Sequence, residues 1–75
     1  MKTLGEKRVR VDFNVDDRSD VHQVKTKAAE SIDFIEGLRD KPVEPSKSGE
    51  RHRLVSLAQT AYEEAAMWAV KALTI

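Results

Sequence analysis

The sequence predicts an all-α protein: an antiparallel two-helix hairpin with an extended N-terminal arm, assembled into a helical homo-oligomer. Three observations carry this expectation. Two long stretches repeat apolar residues every three or four positions, the pattern of helices with one buried face. The stretch between them, rich in proline and serine, is too short to separate two domains, so residues 1–75 read as one hairpin domain. Finally, a chain of 75 residues without cysteine has no disulfide or thiolate-zinc staple. A fold of this size buries only about 60% of the surface its unfolded chain exposes, which leaves oligomerisation as the usual route to stability.

The arm takes residues 1–18. Met1–Lys7 is polar, and Arg8–Val15 then alternates, with Val9, Val11, Phe13 and Val15 on one side and Arg8, Arg10, Asp12 and Asn14 on the other. A period of two with β-branched residues predicts an extended segment. Nothing else in the chain alternates, so such a strand has to pair with another copy or lie across the helices. Asp17 or Ser19 can cap the first helix, residues 19–38, whose apolar positions are Val21, Val24, Ala28, Ile32 and Ile35. Gly37 lies near its end, and Arg39 and Lys41 suit the negative end of the helix dipole. Residues 39–49, with Pro42, Pro45 and Gly49, form the loop.

The second helix covers residues 50–73. Leu54, Ala58, Ala61, Ala65, Trp68 and Ala72 form one heptad-like stripe. Leu57 flanks it on one side, and Val55, Tyr62, Ala66, Ala69 and Leu73 on the other. At about 100° per residue these positions cover half the circumference, more than one partner helix hides. The surplus face is rich in alanine and suits close packing against other subunits. Trp68 belongs to this core or interface stripe, and Met67, outside it, can fill a contact with another subunit.

Charge and motif content narrow the function. Lys and Arg total 13 against 13 Asp and Glu, a formal charge of zero. Binders of duplex nucleic acid usually carry a basic excess, so no duplex partner is expected. No apolar run approaches the roughly 18 residues of a membrane span, and the first residues do not read as a signal peptide, so a cytoplasmic location is expected. Glycine-rich phosphate loops, zinc-protease helices and nucleophile elbows are all missing. His22 and His52 read as ordinary solvated helix residues, and without carboxylate help they make no structural metal site. Glu63 and Glu64 are helix neighbours pointing about 100° apart, so they do not converge on one substrate atom. Neither catalysis nor a cofactor is expected.

The candidate binding residues each have two readings. Lys25 sits at the margin of the apolar arc, where its stem can cover core surface or its ammonium can hold an anion. Lys27 lies on another side and reads as a surface charge. Arg53, Thr60, Glu64, Met67 and Lys71 form a polar stripe beside the apolar face. A guanidinium and a hydroxyl along such an edge can grip a phosphate, or simply form a solvated edge. Phe13 either plugs a core or stacks a base, and Asn14 offers both a donor and an acceptor to a base edge. Ring, amide and cations together match a phosphate-linked nucleobase ligand.

The segment Gly49–Leu73 carries a T-x-x-E-E-A-x-M-W-A string at Thr60, Glu63, Glu64, Ala65, Met67, Trp68 and Ala69. It resembles the phage anti-CBASS sponge proteins, whose helical hairpin is shared with a Thoeris anti-defence protein. Phe13–Asn14 and Val24–Thr26 fit the same pattern, so the resemblance spans Val11–Leu73. It implies a homo-hexamer of packed hairpins that sequesters cyclic dinucleotides between subunits without cleaving them, in the host cytoplasm during infection. It also implies a second class of pocket for cyclic trinucleotides. Phe13 stands where relatives stack an aromatic ring on a base, and Lys25 stands near their phosphate-binding lysine, with Lys27 as a substitute. Asn14, Thr26 and Arg53 resemble the polar group of the trinucleotide pocket. The alternative is a ribbon-helix-helix repressor, whose paired strands would place Arg8, Arg10, Asp12 and Asn14 in a major groove. The long loop and zero net charge count against it.

Overall fold

The computed structural model describes residues 2–9 and 19–75, and every regular element among them is helical. Helix α1 spans Leu4–Val9, α2 spans Asp20–Glu36 and α3 spans Ser48–Leu73, with 3-10 turns at Gly37–Asp40 and Pro45–Lys47 joining α2 to α3. The two long helices run antiparallel. Arg39, just past the end of α2, reaches His52 and Ser56 near the start of α3, while Asp20 and Val24 share a depression with Ala69 and Leu73.

The extended arm requires a correction: Leu4–Val9 is a helix packed on α2. Its start is capped twice over. Thr3 Oγ1 accepts from the Glu6 amide at 3.1 Å, and Glu6 Oε1 accepts from the Thr3 amide at 2.9 Å, a reciprocal capping box. The Gly5 amide donates to Asp33 Oδ1 at 2.7 Å, so a side chain of α2 satisfies another orphan donor. These bonds override the alternation at Arg8 and Val9, both of which are helical. Val9 is buried beside Ala28, Ala29, Ile32 and Ala66, and Arg8 reaches α3. The rest of the alternating segment, with Phe13 and Asn14, lies outside the described residues, as does Asp17. A ribbon beginning at Arg8 thus has its first two residues in a helix.

Ser19 caps α2, its Oγ accepting from the His22 amide at 3.0 Å. The α-helix ends at Glu36, short of the expected Leu38, and tightens into the 3-10 turn before Pro42, a residue that cannot continue a helix. Pro45 opens the second 3-10 turn, and α3 then begins at Ser48, so Ser48 and Gly49 are helical where a loop is expected.

The core is built from small side chains. Ala28, Ala29 and Ala66 surround Ile32 and Val9, with Val24 packed against them. Alanines let the helices approach closely but bury little apolar area. At the centre lies a polar residue, Gln59, only 1% exposed. Its Nε2 donates to Ile32 O at 3.2 Å and to Glu36 Oε1 at 2.9 Å, and its Oε1 accepts from Arg39 Nη2 at 3.0 Å. Arg8 Nη1 approaches the same oxygen at 3.4 Å. A buried amide satisfied on both sides fixes one register between α2 and α3.

Helix α3 meets the rest of the fold through Val55, Gln59 and Ala66. The heptad-like stripe points elsewhere. Leu54, Leu57, Ala61, Ala65, Trp68 and Ala72 are exposed, Leu57 by 52% and Trp68 by 57%, and only Ala58 of that stripe is half-buried. An apolar seam at spacings of three and four therefore runs along α3 with no partner within the described residues. No helix among the described residues is long and apolar enough to cross a membrane.

Candidate functional site: a cation-lined groove beside the third helix

A groove of about 640 Å³ opens where the end of α1, the first half of α2 and one edge of α3 meet. Val9, Ala66, Met67 and Val70 give it an apolar lining, and Arg8, Lys25 and Lys71 bring three cations to it, against the two carboxylates of Glu63 and Glu64. Its volume falls within the range of small-molecule sites. Each helix contributes for a local reason: α1 delivers Arg8 because its start is pinned to Asp33, and the turn-to-turn spacing of α3 aligns Thr60, Glu64, Met67 and Lys71 along one edge.

The three cations differ in their engagement. Arg8 is tied down, with Nε 3.0 Å and Nη2 2.7 Å from Glu63 Oε2, and Nη2 3.3 Å from Thr60 Oγ1. Lys71 lies 5.1 Å from the centre of the Trp68 ring, and Trp68 Nε1 donates to Glu64 Oε1 at 3.3 Å. These contacts link the groove edge to the exposed seam. Lys25 is half-buried and makes no hydrogen bond or ion pair among the described residues. A half-buried ammonium with no ion-pair partner among the described residues can take an anion beside it.

Among the described residues expected to bind ligand, only Lys25 lines this groove. Thr26 is half-buried, with its Oγ1 buried and unpartnered among the described residues, and does not line the groove. Arg53 is exposed and makes no hydrogen bond or ion pair among the described residues; it lies two turns before Thr60, beyond the groove. Lys27 lines a separate depression with Asp20, Gln23, Val24, Ala69, Ala72 and Leu73, so the structure distinguishes it from Lys25. Phe13 and Asn14 lie outside the described residues. Arg8 was missed as a groove residue because alternation places it on the polar face of a strand. The T-x-x-E at Thr3–Glu6, a capping-box signature, was the signal for the helix that carries it.

A second polar cluster sits at the loop end. Arg39 Nε donates to Glu36 Oε1 at 2.9 Å, its Nη1 to His52 O at 3.1 Å and its Nη2 to Ser56 Oγ at 2.8 Å. The hydrogen bond from Arg39, then that from Gln59, holds the Glu36 carboxyl below its ordinary value, against the opposing effect of desolvation. This cluster joins turn to helix. Among the described residues, no grouping of His, Asp and Glu could hold a metal ion.

Fold and groove together define a small helical hairpin, braced by a short N-terminal helix, with a groove that gathers three cations and two carboxylates and an apolar seam that has no partner among the described residues. The family model described as the Acb2/Tad1 hairpin domain matches residues 5–74, and the chain belongs to that family, the phage anti-CBASS sponge and Thoeris anti-defence family. Comparison with curated proteins and with solved structures gives no match.

Proposed function

We propose that this protein is a phage sponge that binds cyclic di- and trinucleotide second messengers in the host cytoplasm and withholds them from CBASS-type effectors without cleaving them. The observation that carries this reading is Lys25, a half-buried ammonium without a partner among the described residues, set in a groove with an apolar lining. Family membership supports the same reading.

The seam on α3 supports assembly into a homo-oligomer, a hexamer as in the sponges the chain resembles. Trp68 of the seam contacts Glu64 and Lys71 of the groove, so a second copy packed on the seam would stand beside the ligand. A two-fold interface presents each residue twice, and one Lys25 per copy then serves the two phosphates of a cyclic dinucleotide. In this proposal Phe13 stacks on a base, and Asn14, Thr26 and Arg53 serve the trinucleotide pocket. Because such a protein works by stoichiometric capture, affinity and copy number set its effect.

Calorimetric titration with cyclic GMP–AMP and a cyclic trinucleotide tests the assignment. Lys25→Ala and Phe13→Ala should each weaken dinucleotide binding about tenfold or more while the oligomer stays intact. Unchanged affinity in both variants discards this dinucleotide site.

A further inference from the structure

We infer that Arg8 is a second phosphate-binding cation of the groove, and that Glu63 is the internal anion a ligand phosphate displaces. This rests on the cyclic-nucleotide reading above and adds a residue and a competition to it.

Glu63 holds Arg8 as a phosphate oxygen would. Nε and Nη2 of one guanidinium both converge on a single carboxylate oxygen, Oε2, at 3.0 and 2.7 Å. That edge of the guanidinium fork fits a phosphodiester oxygen equally well. Among the described residues the remaining nitrogen, Nη1, has only a long 3.4 Å approach to Gln59 Oε1, which leaves donor capacity for an incoming group. Both partners remain reachable from the groove, since the Arg8 side chain is 26% exposed and that of Glu63 41%. Arg8 is also well placed, because α1 is held against α2 by the Gly5–Asp33 hydrogen bond and by the close approach of Gly5 to Ala29. Lys25 and Arg8 thus meet one ligand differently, an ammonium with no partner among the described residues on one wall and a paired fork on the other.

A competition of this kind has a sign. Removing the Glu63 charge releases Arg8 to the ligand and raises the positive character of the groove, so it should tighten binding. The same change removes the ion pair between α1 and α3, so it should lower thermal stability. A purely structural Arg8–Glu63 tie predicts the loss of stability without the gain in affinity.

The test is calorimetry of the full chain with cyclic GMP–AMP, paired with thermal melts, for wild type, Glu63→Gln, Arg8→Lys and Arg8→Ala. Glu63→Gln is expected to tighten binding by roughly threefold or more and to melt lower. Arg8→Ala is expected to weaken binding about tenfold or more, with Arg8→Lys between it and wild type. Should Arg8→Ala fail to fold, Glu63→Gln and Arg8→Lys decide the matter. Glu63→Gln with unchanged or weaker affinity, beside a wild type that binds, overturns the role of Arg8 alone. A wild type that binds no cyclic nucleotide overturns the proposed function, and this assignment with it.

Discussion

Gly5 of α1 lies on the backbone of Ala29 in α2 so closely that a Cβ at Gly5 would overlap the Ala29 carbonyl oxygen. A glycine in a helix ordinarily costs stability relative to alanine, by about 1 kcal/mol. Here it allows two helices to meet without an intervening side chain, and it holds Arg8 and Val9 at the groove.

That relationship fixes the sign of a substitution. Gly5→Ala is expected to destabilise the fold by about 1–3 kcal/mol, as overpacking against a backbone does. Were α1 loose, the same change would stabilise through helix propensity. Urea denaturation of the two proteins distinguishes the cases.

Gln59 offers a second test. Gln59→Leu is close in volume but removes the buried amide's bonds to Ile32 O, Glu36 and Arg39. Losing these bonds should cost about 1–3 kcal/mol. A midpoint of denaturation equal to wild type would show that the network contributes nothing to stability.

The Glu36 carboxyl has its pKa depressed in the folded state, chiefly by Arg39, so ionised Glu36 stabilises the fold above its ordinary value of 4.5. That contribution is lost as pH falls below 4.5 and through the folded value. The side chain is 44% exposed, so solvent screening keeps the effect small. Thermal melts taken down through this range should show wild type losing stability more steeply than Glu36→Gln. Parallel curves would remove Glu36 from the account.

The long helices were legible because their apolar residues recur at three and four, and that signal does not depend on the rest of the fold. Helix α1 was hidden by two competing local patterns, a capping box at Thr3–Glu6 and an alternation from Arg8. Contact with Asp33 and Ala29 favours the helix, and no local reading contains that contact. Gln59 escaped notice because a buried amide resembles a break in an apolar strip until its partners are in place. In the site, Lys25 was visible as a lysine at the arc margin, whereas Arg8 needed α1 and α3 brought together across 55 positions of sequence.

The exposed seam makes its own prediction. Ala65 is exposed at the middle of it, so Ala65→Arg should leave the hairpin folded by circular dichroism while blocking close approach of another helix. Light scattering is expected to show the proposed homo-oligomer reduced toward monomer. An unaltered mass would contradict assembly through this seam.

The central claim is capture without cleavage, and a depletion measurement tests it most directly. The protein is mixed with a panel of cyclic di- and trinucleotides and passed through a small-cutoff filter, and the filtrate is chromatographed. The retained protein is then digested and its released ligand chromatographed in turn. Capture predicts selective loss from the filtrate and intact recovery after digestion. A full panel in the filtrate, or new cleavage products, would contradict it.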